Sequence, residues 1–353
     1  MKCRDKTIDN LRGLAMIWVI VVHVLYWANF FENNHINLLK SFCLFEMPLF
    51  FFVTGASNGF SKDKGYFSFV LRRYKRILIP YWVFAIICAV LSIAYLQLSN
   101  GINVYTAAKV LISWMIPIDR QITSISYLTW ALWFVPVYLC VVLIIPGLKH
   151  LRESRYAKLL VIALFAIFTI TSIFNLGWIQ NVAFYSFWTY VGLFYNDIIQ
   201  KVNQKSFRKQ MGVIGLAGMV ALAVLFLLGY PIDMQHNKFP PNIIFGVFSV
   251  MMISLILLAV PYINKLYSYI GNHMVMRKIT DFFSSRSMTI FLYQVFAFNL
   301  TIPFTNLLIP SGSILLSILK SILCFITTVL LCVVLALVFG IVEQISNKRK
   351  CEI

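Results

Sequence analysis

Apolar residues run along this chain in ten long blocks, divided by short polar segments. The blocks fall near residues 11–30, 39–58, 77–98, 128–147, 156–174, 181–198, 210–229, 242–260, 287–308 and 314–340. A helix rises ~1.5 Å per residue, so about 20 apolar residues cross the ~30 Å hydrocarbon core of a bilayer. The pattern predicts an all-α, polytopic membrane helix bundle of about ten transmembrane helices. One bundle uses the whole chain, so residues 1–353 are read as a single integral membrane domain with no appended soluble domain. The first block follows a basic N-terminus, but no small-residue cleavage site ends it, and it is read as a retained span. Three segments break the pattern. Residues 99–127 form a long connection in which Val104 to Met115 can lie as an interfacial helix, residues 59–76 form a basic loop, and residues 261–286 form a longer polar stretch.

The charges fix an orientation. If the N-terminus is cytoplasmic, 25 of the 30 Lys and Arg residues fall in segments facing the cytoplasm. The opposite side holds Lys40, Lys109, Arg120 and Lys238, and Lys320 lies within the last block, where it is expected to snorkel outward. This alternation is the positive-inside pattern, with both termini cytoplasmic. It also accounts for the formal net charge of +18 without a nucleic-acid partner. The composition agrees: 60% of residues are apolar and 12% charged, against roughly 25% charged in a soluble domain. A basic surface can in addition attract membrane lipid or a polyphosphorylated small molecule. Seven cysteines, with no CxxC and no Cys/His cluster, support neither a disulfide framework nor a metal site.

Few residues inside the blocks can do chemistry. Arg12 and His23 are 11 positions apart on one predicted helix. At ~100° per residue they share a face, about 16 Å apart along the axis, with Asp9 one turn before Arg12. His23 is the single histidine within a block. A titratable group there is costly and is a functional candidate, and an imidazole suits a general base. The plainer reading is a packing histidine bonded to a backbone carbonyl. Glu46, the one carboxylate well inside a block, is expected at a similar depth. It can hold the imidazole tautomer, snorkel outward or bind an acceptor. Arg72, Arg73 and Arg76 gather in a short basic stretch. Arg73 and Arg76 are three apart and face the same way on a helical turn, a geometry suited to phosphate or to lipid headgroups. Trp133 sits where an interfacial belt or a sugar-stacking ring would. No GxxxxGK[ST], GxGxxG or HExxH occurs.

Taken in order, these residues resemble the integral membrane acyltransferase-3 family of bacterial O-acyltransferases. Ile8-Asp9-Asn10-Leu11-Arg12-Gly13-Leu14-Ala15 followed by His23 is similar to the family's opening signature of Arg, ten residues, then His. Met47-Pro48-Leu49-Phe50-Phe51-Phe52-Val53-Thr54-Gly55 resembles its second-helix motif. Arg73-Tyr74-Lys75-Arg76 before Leu78-Ile79-Pro80-Tyr81 resembles its RxxR motif. Leu132-Trp133-Phe134, Tyr190-Val191-Gly192 and Ser287-Met288-Thr289-Ile290-Phe291-Leu292 follow in the expected order.

The resemblance implies a multi-pass enzyme of the bacterial plasma membrane. Such an enzyme moves an acyl group, usually acetyl from cytoplasmic acetyl-CoA, to a hydroxyl of a cell-surface polysaccharide or its lipid-linked precursor. It implies His23 as the essential histidine with Arg12 as its signature partner, and Arg73, Arg76 and Arg72 on the CoA side. Two positions depart from the family: Glu46 and Gln294 stand where many members carry His. The extracellular SGNH-type domain fused in some relatives is not expected here. A rival class is a transporter or flippase of an anionic amphiphile, whose path the same cations and buried His/Glu could line. Acetyl-CoA turnover by the purified protein separates the two.

Overall fold

The structure is a computed structural model, and it describes residues 6–28, 39–61, 65–117, 128–271, 274–310 and 313–348. Among these residues there are fifteen helices and no β-strand. The helices are α1 (Lys6–Trp27), α2 (Glu46–Gly59), α3 (Tyr66–Asn100), α4 (Val104–Met115), α5 (Phe134–Arg152), α6 (Ala157–Ile173), α7 (Trp178–Leu193), α8 (Tyr195–Ile199) and α9 (Lys205–Leu227). They continue with α10 (Met234–Asn237), α11 (Ile243–Gly271), α12 (Met274–Ser285), α13 (Ser287–Leu308), α14 (Ile314–Phe339) and α15 (Ile341–Lys348). The protein is an all-α polytopic bundle. Each of the ten apolar blocks falls on a helix, and seven helical segments are long and apolar enough to cross a membrane.

The differences from expectation lie at the ends of spans. The basic stretch before residue 77 is not a loop. It is the N-terminal part of α3, which runs 35 residues. At ~1.5 Å per residue α3 is roughly 50 Å long, well beyond the hydrocarbon thickness, so the helix carries its own cations past the apolar segment. The block at 181–198 is broken: α7 ends at Leu193 and the short α8 follows. Within residues 261–286, α11 continues to Gly271 and α12 follows from Met274. Helix α4 occupies Val104–Met115, as expected, and Asn103 caps it by accepting from the Thr106 N–H at 2.8 Å. His35, Arg120, Lys62, Lys64 and His273 lie outside the described residues, as do the side chains of Asp9 and Arg277.

The described chain divides into two compact units. The first holds Met1–Val22, Phe31–Asp63 and Leu143–Ser284. Its tightest contact joins α2 and α7 in parallel. A Cβ on Gly55 would lie 2.0 Å from the Thr189 carbonyl, and one on Gly192 would lie 2.0 Å from the Phe52 carbonyl. Only glycine at both positions lets the two backbones approach this closely, the small-residue device of membrane helix pairs. Phe51 stacks on Tyr185 at 4.4 Å beside this seam. Helices α9 and α11 pair in the same unit, with Gly218 against Met251.

The second unit holds His23–Phe30, Lys64–Val142 and Ser285–Ile353. Here α13 packs on α14, α3 on α4, and α15 on α3. Helix α14 is inverted relative to a soluble helix. Lys320, Cys324, Thr328, Cys332 and Ala336, spaced four apart, are buried, while Ile322, Ile326, Leu330 and Val334 are exposed. Thr328 shares a 2.8 Å hydrogen bond with Thr301 of α13. Polar and small side chains inside with aliphatic ones outside is the arrangement a lipid solvent favours. Lys320 does not snorkel outward. It is buried, and its Nζ donates to Asn306 Oδ1 at 3.3 Å.

Candidate active site

His23 lies four residues before the end of α1, in the second unit. Its Nδ1 is 3.0 Å from Gln294 Oε1 on α13. The amide is itself oriented, because Gln294 Nε2 donates to the Phe291 carbonyl at 2.9 Å. The oxygen therefore faces the ring, and an amide oxygen only accepts. The ring then carries a proton on Nδ1, and in the neutral imidazole Nε2 is the basic nitrogen. Gln294 is fully buried. Two aromatic rings set edge-to-face against the imidazole: Trp130 at 4.6 Å and Phe298 at 5.9 Å between centroids. The result is a half-buried imidazole with a defined tautomer and aromatic walls.

Glu46 is the first residue of α2 and lies inside the apolar helical segment Leu39–Gly59, as expected, and its Oε1 accepts from Lys238 Nζ in the first unit. Its Oε2 is buried with no hydrogen-bond partner. Both side chains are almost wholly enclosed, with exposures of 5% for Lys238 and 2% for Glu46. The N-terminal end of α2 favours the carboxylate further. The loop that carries Lys238 is folded inward. Asn237 donates to the Pro231 and Asp233 carbonyls, and Gln180 of α7 donates to the Pro241 carbonyl at 2.7 Å.

Arg12 sits on α1 as expected, three turns before His23 on the same helix face. Its Nη2 donates to Ser57 Oγ at 2.6 Å, and Ser57 in turn donates to the Val53 carbonyl at 2.9 Å. Arg72, Arg73 and Arg76 lie on consecutive turns near the start of α3. Arg72 is exposed, whereas Arg73 and Arg76 are half-buried. The Arg73 guanidinium lies 5.6 Å from the Phe69 ring. Arg76 faces a buried acid, Glu343 of α15, and pulls its carboxyl back toward ionisation, although burial wins and raises it above the ordinary carboxylate value. Trp133 lies in the turn just before α5, with its ring 6.4 Å from Phe134. The indole on His23 is Trp130, three residues earlier.

Gln294, Trp130, Lys238 and Glu343 were not singled out as site residues from the sequence. Gln294 did carry a signal, since it stands where the family often has His. Lys238 carried a weaker one, as one of few cations on its side of the chain and thus a candidate counter-ion for Glu46.

A polytopic helical bundle with seven helical segments long and apolar enough to cross a membrane defines a multi-pass membrane protein, and His23 stands in it among aromatic rings. The acyltransferase-domain model of the acyltransferase-3 family matches residues 5–337, nearly the whole chain. The chain belongs to that family and is a membrane acyltransferase. No curated protein and no solved structure gave a match.

Proposed function

We propose that the protein is an O-acetyltransferase of the bacterial plasma membrane, moving acetyl from acetyl-CoA to a hydroxyl of a cell-surface polysaccharide or its lipid-linked precursor. The observation that carries this reading is the His23–Gln294 contact, because it supplies a base with a defined basic nitrogen in a matched acyltransferase chain. Arg73 and Arg76, with Arg72 beside them, would hold the CoA phosphates. Guanidinium groups bind phosphate through paired hydrogen bonds, and the α3 segment they occupy extends past the apolar part of that helix. When bound, acetyl-CoA supplies a thioester carbonyl. His23 Nε2 takes the proton of the acceptor hydroxyl as its oxygen attacks that carbonyl. The carbon–sulfur bond breaks, and His23 returns the proton to the departing thiolate. Arg12, on the His23 face of α1, would meet the pantetheine arm. Trp133 would contact the acceptor, while Glu46, enclosed with Lys238, would hold the start of α2.

The test is a strain lacking the gene, complemented with wild type or His23→Ala, with O-acetyl content of surface glycans read by proton NMR. Loss of acetyl signals rescued by wild type alone supports the proposal. Rescue by His23→Ala removes the base assignment, and unchanged acetylation in the deletion strain removes the acceptor class. Turnover of acetyl-CoA by purified wild type, lost in His23→Ala while membrane insertion is kept, distinguishes transfer from transport.

A further inference from the structure

The C-terminal helix α15 turns an acid inward and an aliphatic residue outward: Glu343 is wholly buried, while Ile341 is 54% exposed. The carboxylate is directed at the first turn of α13. Its Oε2 accepts from the Thr289 N–H at 2.9 Å and from the Thr289 hydroxyl at 2.8 Å, and its Oε1 accepts from the Met288 N–H at 3.3 Å. These donors are among those a helix start leaves unsatisfied. Arg286, the residue preceding α13, offers no side-chain cap, so Glu343 supplies from another helix what the local sequence lacks.

Two further contacts hold the same end of α13. Phe339, the last residue of α14, stacks on Tyr293 at 4.5 Å with the rings 12° apart. Gly340 lets the chain pass against Arg286, since a Cβ there would lie 2.8 Å from Arg286 Cδ. The end of α14 and the start of α15 thus grip residues 286–293, and Gln294 is the next residue.

We infer that Glu343 is a positioning residue for His23: by holding the first turn of α13 it sets Gln294 where its amide oxygen meets Nδ1. From Thr289 to Gln294 is five residues, about 7.5 Å of helix. A slip of the helix start is therefore passed to the amide within less than two turns. The same carboxylate faces Arg76 from α3, so α15 braces both the cation segment and the helix that orients the base. The inference rests on the reading of His23 as the base.

The test reads the tautomer of His23 directly. Full-length protein labelled with 15N-histidine is placed in detergent micelles, and the His23 signals are assigned by their loss in His23→Ala. Wild type shows the Nδ1-protonated ring. Gln294→Ala and Glu343→Ala both move the population toward the Nε2-protonated form by comparable amounts. Glu343→Gln still accepts from Thr289 but turns an NH2 group on the Met288 N–H. It shifts the population in the same direction by less, and it serves where the alanine variant fails to fold.

Gly218→Ala, which crowds Met251 in the first unit, controls for general loosening and leaves the tautomer as in wild type. The inference is overturned if the Glu343 variants keep the wild-type tautomer, if Gln294→Ala does, or if Gly218→Ala shifts it as much. Acetyl-CoA turnover in the same samples reports separately on the proposed function. Its absence from wild type would remove that reading and leave the tautomer result standing.

Discussion

Replacing Lys238 by Met probes the ion pair at the start of α2. Both side chains are almost fully enclosed, and Glu46 Oε2 already lacks a hydrogen bond. Removing the lysine therefore leaves a buried carboxylate with no counter-charge. Breaking a buried pair on one side costs about 3–5 kcal/mol, while replacing both members by apolar groups of similar volume is roughly neutral. Lys238→Met and Glu46→Met should each lose stability in that range, and the double variant should lose less than about 2 kcal/mol. Denaturant titration of the purified protein in micelles, followed by tryptophan fluorescence, measures all three. The double variant also separates folding from chemistry. It should stay folded, and acetyl transfer retained in it would assign the pair to folding alone. Additive losses, or a Lys238→Met variant within about 0.5 kcal/mol of wild type, would refute the reasoning.

Arg73→Ala and Arg76→Ala should each raise KM for acetyl-CoA by about tenfold or more, the value of a lost charge-assisted hydrogen bond, with a smaller change in kcat; steady-state kinetics checks this. Gly192→Ala should cost about 1–3 kcal/mol, since the added methyl meets the Phe52 carbonyl of a facing backbone that has no flexible side chain to yield, and a melting curve suffices. Glu343 titrates above its ordinary value because of burial, with Arg76 and the Thr289 donors opposing the shift. Between the ordinary and the raised value the folded state holds a proton that the unfolded chain has released. Stability at this site is therefore gained as pH falls through the raised value and is complete below the ordinary one. Wild type should gain on Glu343→Gln as pH falls through the raised value toward the ordinary carboxylate range, and a pH-independent difference in melting temperature would refute the assignment.

Period and charge made the bundle legible before any coordinates. A run of about twenty apolar residues has few options other than a helix, because every backbone polar group must be satisfied within it. The α4 boundaries and the common face of Arg12 and His23 follow from the same local geometry. The continuation of α3 through Arg72, Arg73 and Arg76 was not legible, because charged residues end an apolar run without ending a helix.

Partners distant in sequence belong to the tertiary structure. His23 and Gln294 are 271 positions apart, and Glu46 and Lys238 are 192 apart. Residue type alone named neither partner, the amide beside His23 or the lysine on Glu46. A buried carboxylate takes the strongest counter-charge that packing brings to it, and here that is a lysine from an inward-folded loop. At His23 a neutral amide sets the imidazole, and it can do so because its own NH2 is tied to a carbonyl of the same helix. Composition and spacing thus determined the class of protein and the helix that carries His23, since both depend on local periodicity and solvent. The proton's place on His23, and the grip of α15 on α13 behind it, were decided only where packing brought distant helices into contact.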